Sequence, residues 1–189
     1  MFNPVALGND CRDVHLLLSR WLIAFARRRV STAEPLFSEG PVSLARFRKT
    51  NVMPYKLFAH TADLGVEVSG PSLEDVYRNA AEALFNILSD MSTIETRKML
   101  LRKVKGMGRE DLLINFLREL LNLWNRDHFL VKFCEVLEAT PQHLTVRLSG
   151  EVYNPLMHPI NREIKAVTYH QTSLVHNKRG WKGRFVLDV

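Results

Sequence analysis

DLLINFLRELLNLWNRDHFLVKFCEV, residues 111–136, changes period halfway, and that change decides the fold class. Leu113, Phe116, Leu117, Leu120, Leu121 and Trp124 recur at helical spacing and give one apolar face. After Asp127 the period becomes two: Phe129, Val131 and Phe133 alternate with Leu130, Lys132 and Cys134. A helix runs directly into a strand. Downstream, past a turn at Pro141-Gln142, Leu144, Val146 and Leu148 alternate with Thr145, Arg147 and Ser149. YNPLMHPINRE (153–163) is a loop with two prolines, IKAVTYH (164–170) a strand, HNKRG (176–180) a hairpin turn and WKGRFVLDV (181–189) a final strand. Upstream, KGMGRED (105–111) is a loop and TRKMLLRKV (96–104) a strand. PSLEDVYRNAAEALFNILSD (71–90) is a second amphipathic helix, striped by Leu73, Val76, Ala80, Leu84, Ile87 and Leu88 and opened by Pro71 and Ser72. Before it, Leu64, Val66 and Val68 alternate with Gly65, Glu67 and Ser69 in a strand over 64–69. Strands joined by short turns are mostly antiparallel neighbours. The expected fold is therefore α+β in two layers, with two amphipathic helices packed on one mainly antiparallel sheet.

The 189 residues divide unequally. Residues 53–189 carry this orderly pattern and are expected to form the domain. Residues 1–52 read as an N-terminal extension, disordered or helical. Within it Val14, Leu17, Leu18, Trp21, Leu22 and Phe25 lie at helical spacing ahead of Arg27-Arg28-Arg29, and a Pro-, Gly- and Ser-containing linker follows. A basic amphipathic helix can rest on a membrane surface. Met53 would equally serve as a start, which makes the extension a start-site artefact. A packing or partner role is the third reading. Arg20 interrupts the apolar stretch, so it is a poor signal peptide.

The net charge of +6 suggests nucleic acid until it is divided. Residues 1–52 hold eight Lys/Arg and four Asp/Glu, leaving eighteen and sixteen for the remainder. The body is close to balanced, so only a local basic patch could dock RNA. Arg97, Lys98, Arg102, Lys103, Lys105 and Arg109 form one, and a solvated edge strand is the plainer reading of them. The cysteines, Cys11 and Cys134, make neither a disulfide framework nor a zinc spacing and suit a reducing compartment. No apolar run approaches the ~18 residues of a spanning helix.

Nucleophile elbows, Walker loops and zincin motifs are absent, and the histidines at 60, 128, 143, 158, 170 and 176 have no zinc spacing. Gly106-Met107-Gly108 is a loop, too short a signal for a phosphate cradle. Carboxylates remain. Asp63 stands at the mouth of a strand, where its charge resists burial unless it is paired or solvated. Asp188 is penultimate, and one peptide unit separates its side chain from the α-carboxylate of Val189. Crowded carboxylates repel one another, and a divalent cation removes that cost. An all-oxygen donor set of Asp63, Asp188 and Val189 would favour calcium, magnesium or manganese. Carboxylates distant in sequence are also often simply exposed, and spacing alone leaves both readings open.

At these residues the sequence resembles the archease family. HTADLG (60–65), DLLINFLRELL (111–121), EIKAVTYH (163–170) and the terminal LDV (187–189) occur in the family's order and spacing, and the resemblance covers about residues 53–189. It implies a small α+β domain related to a strand–helix–strand–strand module with an inserted hairpin. It also implies a non-catalytic cytoplasmic protein that assists another enzyme. Archeases activate the GTP- and manganese-dependent RNA ligase that joins 2′,3′-cyclic-phosphate or 3′-phosphate ends to 5′-hydroxyl ends, as in tRNA splicing. They do so by promoting ligase guanylylation and repeated turnover. Carried across by motif, Asp63, Asp188 and Val189 become ligands of a divalent metal, calcium first. Lys165 and His60 become candidate partner contacts. A surface lysine at a strand edge is the plain reading of Lys165, and a packing residue that of His60. Isoleucine is common in the family where Val189 stands, but a backbone carboxylate does not depend on that side chain.

Three rivals make different demands. A general chaperone or adaptor needs neither Asp63 nor a metal. An RNA-binding module would use residues 97–109 and lose affinity steeply with salt. A metal-dependent hydrolase needs a general base that the sequence does not supply.

Overall fold

The computed structural model describes residues 55–60 and 63–189; the reading of 1–52 as an extension lies outside the described residues. In chain order the elements are β1 (Tyr55–His60), β2 (Asp63–Gly70), α1 (Leu73–Leu88), a 3-10 turn (Met91–Thr93), β3 (Lys98–Lys105), α2 (Arg109–Asp127), β4 (Phe129–Ala139), β5 (His143–Val152), β6 (Ala166–Asn177) and β7 (Gly180–Asp188). All strand pairs among the described residues are antiparallel. They form two sheets rather than the single one expected: β1-β2-β7-β6 and β3-β5-β4. Alternation marks a strand without naming its partner, so sequence pattern does not reveal this division.

Both helices pack on strands of both sheets. That explains why they are apolar beyond a single stripe. In α1, Tyr77, Ala81, Ala83 and Phe85 are buried with Val76, Ala80, Leu84, Ile87 and Leu88. In α2, Leu112, Ile114 and Leu123 join the expected Leu113, Phe116, Leu117, Leu120 and Leu121, while Trp124 is half-buried. Ser72 and Asp75 cap α1 reciprocally: Asp75 N–H donates to Ser72 Oγ (3.2 Å) and Ser72 N–H to Asp75 Oδ2 (3.2 Å). Gly108 caps α2 without a side chain, and Asp111 instead accepts from Met107 N–H (2.8 Å). Cys134 is a packed thiol, as its place on an apolar strand suggested; burial pushes it up to about 12.

Strand β1 escaped the sequence reading because it is short and mixed in polarity. It edges the first sheet and sets Phe58 opposite Gly65. The Phe58 ring lies where a Cβ on residue 65 would stand, 2.2 Å from Cε2, so this glycine leaves room for an aromatic cover. In the second sheet a Cβ on Gly150 would meet the Leu130 carbonyl oxygen at 1.9 Å, beside the register shift between Val131 and Phe133. Strand β6 runs beyond the expected 164–170. It is interrupted by a bulge between Thr168 and Ser173, within which Gln171 adopts φ 52°.

Candidate functional site

The first sheet brings both ends of the domain together. β7 lies between β2 and β6, so its last residues have a neighbour on each side. On one side Leu187 pairs with Leu64. One step further along that antiparallel register, Asp188 and Asp63 take facing positions, and facing residues direct their side chains to the same side of a sheet. On the other side Asp188 pairs with Ala166, and its carbonyl accepts from Lys165 N–H (2.8 Å). The next step sets Lys165 beside Val189. There Lys165 Nζ donates to the Val189 carboxyl oxygen (3.1 Å) and stands 3.9 Å from Asp188 Oδ1. The Val189 side chain packs against the core, which holds its main-chain oxygen in place.

The structure thus places Asp63, Asp188, Val189 and Lys165 at one end of one sheet. Asp63 is half-buried, and Lys165 and Asp188 are open to solvent at 59% and 46% of their side-chain surface. His60 pairs with Asp63 across the β1–β2 connection. Its side chain and residues 61–62 lie outside what the structure describes.

Among the described residues, no group of three or more His, Cys, Asp or Glu side chains is arranged to hold a metal. The candidate set has a different composition: two aspartates and the main-chain oxygen of Val189. Its chemistry fits a hard cation, because every donor is an oxygen and an ammonium already sits against two of them. Three protein groups would leave most of a calcium shell of ~6–8 oxygens to water or to a partner.

Beyond Lys165, the EIKAVTYH stretch is bound to α2. The Arg118 guanidinium lies 4.6 Å over the Tyr169 ring, and its Nε–H donates to the Val167 carbonyl (3.2 Å). The Tyr169 hydroxyl donates to Asp111 Oδ1 (2.5 Å). That bond and the one from Met107 N–H hold the Asp111 carboxyl below its ordinary value. Sequence reasoning missed these contacts, which join residues far apart in the chain.

The basic patch is partly spoken for. Arg97 is paired with Glu95 (3.0 Å) and Glu151 (3.1 Å), Arg102 with Glu119 (3.1 Å), and Arg109 lies 5.3 Å over the Trp181 ring. An open pocket of about 330 Å³ beside it is lined by Ile94, Glu95, Thr96, Arg97, Lys132 and Phe133 and contains none of the sheet-end carboxylates. No helix among the described residues is long and apolar enough to cross a membrane.

Comparison with known proteins agrees with the motifs. Residues 55–189 match the model of the Archease protein family (MTH1598/TM1083). The protein archease of Methanosarcina mazei is 36% identical over 141 residues, covering 71% of this chain and 95% of the relative. That of Sulfolobus acidocaldarius is 32% identical over 136 residues, covering 71% and 98%. Among solved structures, the solution structure of Methanobacterium thermoautotrophicum protein 1598 superposes with a TM-score of 0.62 at 29% identity, covering 73% of this chain and all of that one.

Proposed function

Because this chain belongs to the archease family, we propose that it is a non-catalytic protein cofactor of the GTP- and manganese-dependent RNA ligase. In this reading it promotes guanylylation of the ligase and its return to the active state after each joining event. The observation that carries the proposal is the convergence of Asp63, Asp188, the Val189 carboxylate and Lys165 at one open sheet end.

The strands do the positioning. β2 presents Asp63, β7 presents Asp188 with Val189 just past its end, and Lys165 immediately precedes β6, tied to β7 through its N–H bond to the Asp188 carbonyl. The two aspartates are spaced by strand pairing and their neighbours are the residues next to those strands, so the anions would be fixed before a partner arrives and cost it little ordering entropy. Asp63, Asp188 and Val189 would hold the metal. A bound divalent cation would supply positive charge and open coordination positions for a carboxylate or phosphate of the ligase. Lys165 keeps an ammonium beside the terminal carboxylate and adds a second positive group to the same surface. To activate, this surface must prefer the ligase state that accepts GTP, and a difference in affinity between two states is sufficient.

Two rivals fit the structure less well. The hydrolase reading still has no identified general base. The RNA-binding reading loses the three arginines of the 97–109 patch to intramolecular contacts. The decisive assay mixes the purified full chain with the ligase, GTP, manganese and an RNA bearing a 2′,3′-cyclic phosphate, and measures ligase guanylylation and multiple-turnover joining. Stimulation should be lost in Asp63→Ala and Asp188→Ala. Full stimulation by both folded variants would end the proposal.

A further inference from the structure

The loop that feeds β6, residues 153–165, combines exposed apolar side chains with a hydrogen-bonded backbone. Leu156 is 93% exposed, and Met157, Ile160 and Val152 are exposed around it. Every backbone N–H of the turn has a partner. Leu156 N–H donates to Asn154 Oδ1 (3.0 Å), while Met157 and His158 N–H donate to the Asn154 carbonyl (3.0 and 2.9 Å). Asn154 N–H donates to His158 Nδ1 (2.9 Å), and Pro155 and Pro159 have no N–H to satisfy.

Beneath the turn lies a buried polar pin. Since His158 Nδ1 accepts, its ring proton is on Nε2, which faces Glu151 Oε1 at 3.3 Å. Glu151 also accepts from Glu95 N–H (2.5 Å) and pairs with Arg97 Nε (3.1 Å). His158 and Glu151 are 1% and 5% exposed, so this pair catalyses nothing at the surface; it holds the turn. The far side is tied to α1: Ile160 bridges Ser89, Asn161 N–H donates to the Leu88 carbonyl (2.9 Å), and Ser89 Oγ–H to the Pro159 carbonyl (2.8 Å). From there the chain passes through buried Ile164 to Lys165, at the carboxylate end of the sheet.

We propose that the pinned turn 154–158 is a preformed docking knob, with Leu156 at its tip and Met157 beside it. It would enter an apolar pocket on the protein that engages the adjacent carboxylate end. This rests on the ligase reading above. Continuity with that end selects the occupant: four residues separate Ile160, bridged to Ser89 at the end of α1, from Lys165, and the nine steps from Leu156 to Lys165 can span at most ~32 Å. An interface of ordinary size, about 800 Å² per partner and so roughly 30 Å across, reaches from the carboxylates to the knob. The pinned backbone presents Leu156 with little ordering cost on binding, the condition under which one apolar side chain dominates an interface.

The test measures the Kd for the ligase, by titration calorimetry, of wild type, Leu156→Ser, Met157→Ser and Asp188→Ala, with circular dichroism as the control for folding. Leu156→Ser should bind about 10- to 30-fold more weakly. It should raise the concentration needed for half-maximal stimulation yet reach the same maximum at saturation, whereas Asp188→Ala should lower the maximum. Wild-type affinity in both Leu156→Ser and Met157→Ser would overturn the knob and leave the ligase reading intact. Absence of ligase binding by wild type would overturn the ligase reading first. Loss of self-association in Leu156→Ser on sedimentation, with ligase affinity unchanged, would assign the knob to a second copy of the chain and overturn the proposal as well.

Discussion

Asp188→Asn should separate two quantities that usually move together, stability and ligand affinity. Asp188 and Asp63 occupy facing positions, with backbones about 5 Å apart, so their carboxylates repel by roughly 0.8 kcal/mol at the dielectric of water. Lys165, 3.9 Å from Asp188 Oδ1, returns about 1 kcal/mol at most, and less in practice because both groups are half-exposed. These contributions nearly cancel. Without metal, Asp188→Asn should shift stability by no more than about 1 kcal/mol, a few degrees in Tm. Calcium held as proposed should change the balance. One carboxylate at ~2.4 Å from a divalent ion contributes about 3 kcal/mol even at the dielectric of water, on the order of a hundredfold in Kd. With calcium at about a hundred times the wild-type Kd, binding stabilises wild type by about 2.7 kcal/mol and the variant by about 0.4 kcal/mol. Thermal melts of the purified chain, free of any C-terminal tag, with calcium and with chelator, read this directly. A variant that keeps the wild-type rise in Tm would refute the donor set. So would a wild type whose Tm responds to none of calcium, magnesium and manganese.

Three further outcomes follow from packing and charge. Glu67 is held below the ordinary 4.5 chiefly by its hydrogen bond from Lys182 (2.8 Å), with Arg184 (2.9 Å) adding to it and burial opposing. Because the folded-state value is depressed, Glu67→Gln should cost about 0.5–1 kcal/mol above pH 5, and that deficit should vanish as pH falls through the carboxylate range, as urea melts at several pH values will read. Gly150→Ala sets a Cβ against the Leu130 carbonyl, a backbone atom that cannot rotate away, and should cost about 3 kcal/mol or more in the same melts. Cys134, with its thiol pushed up to about 12, should resist iodoacetamide at pH 8 in the native state and react in denaturant, as peptide-level mass spectrometry resolves.

How far the sequence could be read depended on whether a feature is local. Both helices were readable because their stripes lie within single elements and Ser72 marks a start. The division into two sheets was not, since the alternation of Leu144, Val146 and Leu148 is the same whichever strand lies alongside. Glu151 shares the parity of Arg147 and Ser149 and so reads as an outward residue. It is buried because the strand ends there and the 154–158 turn covers it. Asp63 and Asp188 stood out as misplaced anions, but their facing positions depend on the register of β2 with β7, which only the folded chain supplies. Lys165 came from family resemblance alone; nothing local distinguishes it from any lysine at a strand edge.

The place of β7 also sets a timetable for biosynthesis. Residues 181–187 enter the sheet between β2, made early, and β6. Until they emerge from the ribosome, the inner edge of β2 has no backbone partner, and Val66 and Val68 lack the strand that completes their sheet. Until Leu187 has been added, translation produces a chain that cannot close its first sheet, and these long-range pairings form only after that point. The same late step assembles the acidic sheet end, so a chain cut short before Leu187 lacks it.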